Sequence, residues 1–346
     1  MPDTADSARH PRLRALGRVC ITGGAGFIGS NLAERLCREG VEVVLLDDFR
    51  RGRREFLASV LARPGVSLVE GDVLDARVLE QALEGCDWVF HLQANADVRG
   101  GLEHPRRDLE QNTIATSNVL QAMCAQGVGR IAFASTGSVY GEPRVFPTPE
   151  HAPFPLQTSL YGASKLAGEG LICAYAAGYG FTGVICRYVS ILGERYTHGH
   201  LFDFYRALKA EPARLLVCGD GTQEKSYLYV RDCVEATLTA ALRHNDEAGA
   251  HVYNVGSEET HTVDDSIALV AEHLSVSPQV QYTGGPRGWV GDSPLVRLDT
   301  QRLASLGWRA TLTIREAALR TLQWFDANEF AWREDARAGT WAGRRT

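Results

Sequence analysis

The sequence lacks the features that mark several large classes of protein. No apolar stretch in its 346 residues reaches the roughly 18 residues that a membrane-spanning helix needs. The formal net charge of -6 provides no cationic surface, which argues against nucleic acid or an anionic membrane as the main partner. The polar N-terminal segment lacks the apolar core of a signal peptide, so we expect a cytoplasmic location.

The sequence also lacks the cysteine and histidine spacings of metal sites. Its eight cysteines form no CxxC pair, and most lie inside apolar runs, so we expect buried and reduced thiols. His198 and His200 flank Gly199, but no cysteine or acid stands at ligand spacing from them. We therefore predict that the protein holds no metal ion.

What the sequence does contain is a regular alternation of short apolar strands with helical segments. Strands are predicted at 19–21, 41–46, 67–70, 88–92, 131–134 and 181–186, and helices at 27–39, 76–83, 106–126 and 161–178. Continuous apolar strands separated by helices are typical of a parallel sheet that is covered on both faces. We predict an α/β fold with a Rossmann-type doubly wound parallel sheet and a smaller, interleaved C-terminal lobe.

The predicted organisation has a main domain, a lobe and two loose ends. The main domain spans residues 17–187, and a helix and strand within 230–256 return to it. Glycine, proline and aromatic residues punctuate much of the remainder, so 188–229 and 257–330 are predicted to form a substrate-binding lobe. The polar segments 1–16 and 331–346 are predicted to be a flexible arm and a tail.

A glycine-rich turn follows the first strand and opens the first helix, with the sequence TGGAGFIG at 22–29. Its glycines allow, in order, a tight turn, a close approach of the backbone to a pyrophosphate, and close packing of helix on sheet. Phosphates would meet free N–H groups at the positive end of the helix. The predicted dinucleotide contacts in this turn are Gly23, Gly26, Phe27, Ile28 and Gly29.

An acidic pair, Asp47 and Asp48, ends the second strand, where a carboxylate can accept both hydroxyls of a ribose. Asp47 would repel a 2′-phosphate, so the predicted cofactor is NAD rather than NADP. Four arginines that follow favour NADP instead, but we interpret them as a solvated basic turn: Arg50, Arg51, Arg53 and Arg54. At the end of the third strand, beside Val73, Asp72 is either a contact to the adenine or a helix N-cap.

A tyrosine and a lysine stand four residues apart in the segment YGASK, at Tyr161 and Lys165, which places both side chains on one face of a helix. A free tyrosine, with a pKa of about 10, is a poor base near neutral pH. A nearby ammonium and a positive nicotinamide ring would both favour the phenolate. Lys165 can also hydrogen-bond the nicotinamide ribose, and we interpret the pair as catalytic.

These motifs, in this order, resemble those of the extended short-chain dehydrogenase/reductases, specifically the NAD-dependent nucleotide-sugar epimerase/dehydratase group. The resemblance runs from about Arg18 to about Trp324 and also includes STGSVYG at 135–141, GDGTQ at 219–223 and LGW at 306–308. It implies that Thr136 hydrogen-bonds the sugar hydroxyl that is oxidised, that Tyr161 is the base and that Lys165 supports it.

The turn at 135–141 offers hydroxyls but no carboxylic acid. Family members that dehydrate the sugar carry Asp-Glu where Gly137 and Ser138 stand here, and the decarboxylating members usually carry Glu at the Ser138 position. A serine is far too weak an acid or base to replace these groups. The resemblance therefore implies a 4-epimerase of the UDP-glucose/UDP-galactose type, in which bound NAD oxidises C4, the keto sugar rotates, and hydride returns to the other face. The alternatives are a keto-sugar reductase, a dehydratase, a decarboxylase or a non-catalytic NAD-binding protein.

The resemblance also implies contacts to the nucleotide part of the substrate. Arg287 matches an arginine that clamps the diphosphate, and Asp292 matches an acid that holds the nucleotide ribose. Two positions depart from the pattern, because Ser190 stands where an asparagine is frequent and Lys225 stands where an arginine is usual. The remaining predicted substrate contacts are Ser138, His200 and Leu201.

Two further predictions concern helices. Asn112 matches a family position near the cofactor, although a polar residue on a helix surface is the competing interpretation. The apolar helical runs 114–125 and 161–176 match the pair that commonly forms a four-helix bundle between two subunits, so the resemblance implies a homodimer. In the competing interpretation, both runs simply cover the sheet.

Overall fold

The computed structural model describes residues 11–154, 156–289 and 291–333. Its strands are β1 (Val19–Thr22), β2 (Val43–Asp47), β3 (Val66–Glu70), β4 (Trp88–His91), β5 (Arg130–Thr136), β6 (Thr182–Tyr188), β7 (Ser190–Leu192), β8 (Arg214–Val217), β9 (Glu224–Lys225), β10 (Tyr227–Tyr229), β11 (Gly249–Val255), β12 (His261–Thr262), β13 (Gln279–Tyr282) and β14 (Leu295–Val296).

The helices lie between these strands and at the C-terminal side. They are α1 (Phe27–Arg38), α2 (Ala58–Leu61), α3 (Ala76–Leu83), α4 (Pro105–Asp108), α5 (Ala115–Gln126), α6 (Leu160–Tyr179), α7 (His200–Ala210), α8 (Val230–Arg243), α9 (Val263–Leu274), α10 (Gln301–Ala304), α11 (Ile314–Ala327) and α12 (Phe330–Arg333). Short 3₁₀ helices span Pro11–Leu16, Arg54–Leu57, Arg99–Gly101 and Gly137–Tyr140, and a π-helix spans Leu109–Ile114.

A sheet of seven strands, in the order β11-β6-β5-β4-β1-β2-β3, forms the centre of the molecule, and all of its strand pairs are parallel. Every residue of β1, β2, β4 and β6 is buried, because helices cover both faces. Burial on both faces explains why these strands are continuous apolar runs rather than alternating patterns. The Rossmann-type fold predicted from the sequence is confirmed.

The strand order places the functional edge of the sheet. The chain passes from β1 to β2 on one side and later returns to β4 on the other side of β1. At such a reversal a crevice opens beyond the carboxyl ends of the strands, where doubly wound proteins bind their ligands. The glycine-rich turn after β1, the carboxylate that ends β2 and the hydroxyl turn after β5 all lie at this edge.

The segments that were predicted to form the lobe contain three small sheets beside the large one. Their strand orders are β10-β7, β12-β9-β14 and β13-β8. Strand β11 lies inside the large sheet and pairs in parallel with β6 over its whole length. The chain therefore leaves the large sheet after β6, builds part of the lobe, returns as α8 and β11, and then completes the lobe.

The predicted loose ends are more ordered than the sequence indicated. Residues 11–16 form a 3₁₀ helix in which Leu13 and Leu16 are fully buried, so the prediction of a flexible arm over 1–16 is wrong for this part. The predicted tail begins too early, because α12 extends to Arg333 and Ala331 is buried. Residues 1–10 and 334–346 lie outside the described residues.

The C-terminal helices contact the segment that follows β2. The guanidinium of Arg53, just after β2, donates to the carbonyl oxygens of Phe330 at 3.2 Å and Ala331 at 3.3 Å. The ring of Phe56 packs against Trp324 at 5.9 Å and against Phe330 at 6.4 Å between ring centroids. Arg53 was predicted to be solvated, but it fastens α12 to the segment that follows β2.

Two simpler expectations concern membrane helices and disulfides. In the part of the chain that the structure describes, no helix has the length and apolarity to span a bilayer. All eight cysteines are free thiols, and Cys124 and Cys173, on α5 and α6, are exposed rather than buried.

Candidate active site

The glycine-rich turn has the geometry of a dinucleotide cradle. Gly23 adopts φ +72°, a conformation that side chains with a Cβ rarely adopt. A Cβ on Gly29 would overlap the carbonyl oxygen of Gly23, so this position tolerates no side chain. A Cβ on Gly26 would meet only that same oxygen, at 3.2 Å. The outer side of Gly26 is thus open, and a pyrophosphate fits there against the N-terminus of α1.

Asp47 fastens the glycine-rich turn to the end of β2. Its Oδ2 accepts the N–H of Ala25 at 2.9 Å, and its Oδ1 accepts the N–H of Phe49 at 2.9 Å. Burial raises the pKa of the Asp47 carboxyl, while the two N–H groups act in the opposite direction. The carboxylate therefore shapes the turn, and its contact to a ribose stays a prediction.

Asp48 and Asp72 share one arginine. The Arg50 guanidinium lies 3.2 Å from Asp48 Oδ2 and 2.8 Å from Asp72 Oδ2, but its side chain is 63% exposed, which agrees with the interpretation of a solvated basic turn. Asp72 accepts the N–H of Leu74 at 2.9 Å, whereas the N-cap of α3 is Asp75. The N-cap interpretation of Asp72 is therefore wrong. Val73, beside it, is buried.

The predicted catalytic hydroxyl and phenol come together. Thr136 ends β5 and caps the following 3₁₀ helix, where its Oγ1 accepts the N–H of Ser138 at 3.1 Å and donates to Ser138 Oγ at 3.2 Å. Ser159 caps α6 by accepting the N–H of Gly162 at 3.0 Å, which places Tyr161 in the first helical turn. The Thr136 side chain lies beside the Tyr161 phenol, where it acts against the rise in pKa that burial causes.

Lys165 follows one turn later on α6 and is 1% exposed. Its Nζ lies 4.1 Å from the centroid of the Phe133 ring. Burial raises the pKa of Tyr161 to about 12 and lowers the pKa of Lys165 to about 7. Burial therefore opposes the charged forms of both residues, and the expected activation of the phenol by the ammonium together with an oxidised nicotinamide stays a prediction. The positive charge of an oxidised nicotinamide would favour the phenolate.

Asn112 links α6, which carries Tyr161 and Lys165, to the segment that follows β4. It lies in the π-helix before α5 and is 1% exposed, so the interpretation as a helix-surface residue is wrong. Its Oδ1 accepts the N–H of Asn95 at 2.8 Å, and its Nδ2 donates to Ser164 Oγ, within the YGASK segment, at 2.9 Å. π-Helical turns inside longer helices are frequent at functional sites.

The carboxylate whose charge acts on Tyr161 is Asp108 of α4. Burial raises the pKa of this carboxyl, and its Oδ1 accepts from Asn95 Nδ2 at 2.8 Å. Asp108 is only 1% exposed, so its carboxyl is enclosed by protein.

The three residues predicted to contact the nucleotide form one cluster. Lys225 Nζ lies 2.5 Å from Asp292 Oδ1, and Asp292 Oδ2 accepts the N–H of Gly288 at 3.0 Å. Arg287 donates to the carbonyl oxygen of Asp292 at 2.7 Å and pairs with Glu142 at 2.5 Å. Asp292 is 3% exposed and organises its own loop, so its predicted contact to the ribose stays a prediction.

The other predicted substrate contacts are scattered. Ser190 begins β7 and is exposed, and Ser138 is half-buried beside Thr136. His200 Nε2 hydrogen-bonds Ser266 Oγ at 2.9 Å, and Leu201 is buried in the hydrophobic core. His200 and Leu201 thus contact other parts of the protein, and their contact with the substrate stays a prediction.

A histidine cluster not noticed in the sequence lies near the N-terminal end of β11. His244 Nδ1 bonds Glu247 at 2.9 Å and His244 Nε2 bonds the Tyr253 hydroxyl at 2.7 Å. The rings of His244 and His251 stack with centroids 3.6 Å apart and planes 9° from parallel. The ligand atoms of His244, Glu247 and His251 lie within 4.8 Å of one another, but both ring nitrogens of His244 are hydrogen-bonded, to Glu247 and Tyr253, and the absence of a metal ion stays a prediction.

Sequence reasoning also missed residues behind the catalytic pair. His91 is fully buried between Thr22 Oγ1, at 2.7 Å from Nδ1, and Thr116 Oγ1, at 3.1 Å from Nε2. Burial lowers the pKa of His91 to about 3, so the ring is neutral and joins β1 to α5.

Glu169 and Arg187 form a buried ion pair. The sequence did contain a signal for Glu169, because a glutamate four residues after Lys165 lies on the same helix face.

The profile of the NAD dependent epimerase/dehydratase family matches residues 19–256, which is more than half of the chain. The chain belongs to this family. The resemblance inferred from the sequence motifs is confirmed, and so is the prediction of NAD as the cofactor of this family member.

Several members of the epimerase/dehydratase family are similar over nearly their whole length. A solved UDP-galactose 4-epimerase is 37% identical, with a TM-score of 0.80 over 90% of this chain and 99% of that chain. The UDP-glucose 4-epimerase of Thermus thermophilus, solved in complex with NAD, is 34% identical, with a TM-score of 0.79 over 89% and 99%. A UDP-N-acetyl-alpha-D-glucosaminuronate decarboxylase of Bacillus cytotoxicus is 34% identical over 89% of this chain and 97% of its own.

Proposed function

We propose that this family member is a nucleotide-sugar 4-epimerase of the UDP-glucose/UDP-galactose type. The observation that carries the proposal is the turn after β5, which presents the hydroxyls of Thr136 and Ser138 beside Tyr161 but no carboxylate. Reversible oxidation of an alcohol needs a base and a hydride acceptor, whereas elimination also needs an acid. The similar UDP-galactose and UDP-glucose 4-epimerases support this reaction type.

Each residue of the site has a defined part in this reaction. Thr136 holds the C4 hydroxyl, and Tyr161 removes its proton and later returns it. When bound, NAD supplies the hydride acceptor and donor. Lys165 stabilises the phenolate by its charge and hydrogen-bonds the ribose of the cofactor. Arg287 clamps the diphosphate, which leaves the sugar ring free to turn between the two hydride transfers.

The proposal is tested with a panel of UDP-, GDP-, CDP- and dTDP-linked hexoses and hexuronic acids, including the N-acetylated forms, incubated with the purified protein. We expect NMR to show inversion at C4 for a UDP-sugar without added NAD, because the chemistry regenerates the cofactor. Mass spectrometry of the same samples is the control for the other family reactions. Loss of CO₂ or water from any substrate, without inversion at C4, would contradict the proposal.

One prediction tests whether this protein is a dehydratase in which only the Asp-Glu pair of the turn has been replaced. A Cβ on Gly137 would lie 3.5 Å from both Leu298 Cδ1 and Val296 Cγ1, so an aspartate there would point at apolar side chains. We expect Gly137→Asp combined with Ser138→Glu to destabilise the protein, because burial of an unpaired carboxylate is unfavourable. We expect no 4-keto-6-deoxy product by mass spectrometry. Ser138→Glu alone is the matched control, and such a product from either variant would show that the C5 geometry is already present.

A homodimer is part of the proposal. The π-helix and α6 expose apolar side chains on neighbouring positions, with Leu109 49%, Ile114 40% and Leu160 38% exposed. Exposed apolar surface of this kind favours burial against a second copy. Light scattering on the purified protein should give twice the mass of the chain, and Ile114→Arg should lower it. A monomer at micromolar concentration would contradict this part.

A further inference from the structure

A buried ion pair lies behind the catalytic residues. Glu169 of α6 is 4% exposed, and Arg187, near the end of β6, is 3% exposed. Arg187 Nε lies 3.0 Å from Glu169 Oε1, and Arg187 Nη2 lies 2.7 Å from Glu169 Oε2. The hydroxyl of Ser135 also donates to Glu169 Oε1. Both carboxylate oxygens are therefore held by donors from β5 and β6, in the paired geometry that arginine favours.

The arginine of this pair is fixed from its other side. Arg187 Nη1 donates to the Tyr140 hydroxyl at 2.6 Å and to the carbonyl oxygen of Glu150 at 3.0 Å. The Tyr140 hydroxyl in turn donates to Asn254 Oδ1, on β11, at 2.8 Å. Three strands and the turn after β5 thus hold the ion pair in one arrangement. Since Ser135 precedes Thr136, the same network also fixes the end of the strand that carries the catalytic hydroxyl.

Glu169 is also one helical turn beyond Lys165, on the face of α6 that carries Tyr161. The described part of the chain places few titratable and charged groups around the Tyr161–Lys165 pair. They are Glu169 on α6, His91 on β4 and Asp108 on α4, with Arg187 on β6 behind Glu169. His91 is neutral, and Asp108 acts on Tyr161. Glu169 is the anion that acts on the buried lysine.

We propose that Glu169 is a positioning residue for Lys165: its carboxylate, held by Arg187 and Ser135, keeps the buried lysine charged and aligned beside Tyr161. The need for such a group follows from burial, which opposes the ammonium form and lowers the pKa of Lys165, whereas Glu169 acts in the opposite direction. Without the carboxylate, Lys165 would lose its proton at a lower pH. The phenolate of Tyr161 would then lose its supporting charge.

This inference rests on the role of Lys165 in the proposed function, but its test needs no substrate. The sequence contains only three lysines, Lys165, Lys209 and Lys225. Protein grown with lysine labelled with ¹³C at Cε, and purified with its bound NAD, therefore gives three signals that can be followed by NMR from pH 5 to pH 11. Lys209→Arg and Lys225→Arg assign the other two signals, which leaves Lys165.

In Glu169→Gln, we expect the Lys165 signal to titrate about one pH unit or more below its position in the unchanged protein. The glutamine retains the shape of the side chain and an acceptor for Ser135. Because it leaves Arg187 buried without a counter-ion, which is strongly destabilising, the matched variant is Glu169→Gln with Arg187→Gln, which removes both charges. We expect the downward shift to persist in this double variant, since it also lacks the carboxylate.

Either of two results would overturn the proposal. The first is a Lys165 signal that titrates at its original pH in a folded variant without Glu169. The second is a shift in Glu169→Gln that disappears in the double variant, because it would show that the unpaired Arg187 charge, not the lost carboxylate, acts on the lysine. Failure of the sugar panel would leave these titrations unchanged, so the two proposals fail separately.

Discussion

Replacement of Tyr161 by phenylalanine should lower the turnover of C4 inversion by about 10²- to 10⁴-fold, the usual contribution of a general acid–base group. This corresponds to about 3 to 5 kcal/mol of barrier. The reason is that Thr136, which lies beside the phenol, has no acid–base function at neutral pH and cannot take its place. The glycine-rich turn and Asp47 are unchanged, so the variant should retain NAD.

The measurement is the rate of inversion by NMR, together with the NAD released on denaturation. Tyr179→Phe is the matched control, because it also removes one phenolic hydroxyl from α6. Tyr179 lies at the end of this helix and is 68% exposed. We expect that control to turn over normally. Near-normal turnover in Tyr161→Phe would remove Tyr161 from the mechanism.

The second large effect concerns the glycine-rich turn, where two alanine substitutions should fail for different reasons. In Gly29→Ala the new methyl group overlaps the Gly23 carbonyl oxygen, which is backbone and cannot move alone. Overpacking of this kind lowers the free energy of unfolding by about 1 to 3 kcal/mol. We expect this variant to lose stability in urea unfolding even without cofactor, and to lose NAD because the turn is distorted.

In Gly26→Ala the new methyl group meets protein only at the same oxygen, at 3.2 Å, and the backbone φ of -77° suits alanine. We expect its unfolding without cofactor to resemble that of the unchanged protein, while NAD content falls strongly because the methyl group occupies the space for the pyrophosphate. Full NAD content in Gly26→Ala would show that the pyrophosphate does not lie along this turn. Unchanged stability in Gly29→Ala would contradict the close packing.

Much of the fold and part of the site could be predicted from the sequence. The central strands are apolar without interruption, and glycine or polar residues follow their ends, so local composition identifies them. The glycine-rich turn, Asp47 and the Tyr161–Lys165 pair depend on short-range spacing, which a sequence displays directly. The structure places all of these groups at one edge of the sheet.

Long-range contacts account for what the sequence did not reveal. The Glu169–Arg187 pair joins a helix to a strand, and Asn112 faces Ser164 from 52 positions earlier in the chain. Neither pairing has a local signature. The segment 11–16 is polar enough to suggest a flexible arm, but tertiary packing buries Leu13 and Leu16. Arg287 contacts Glu142 and the carbonyl oxygen of Asp292, and motif spacing could not show either contact.

The contact between Arg53 and α12 has a consequence for biosynthesis. A nascent chain that has emerged from the ribosome as far as Val255 already contains all seven strands of the large sheet. It still lacks the two carbonyl groups that receive Arg53 and the rings that pack on Phe56. The segment after β2 reaches its final structure only once α11 and α12 have left the exit tunnel.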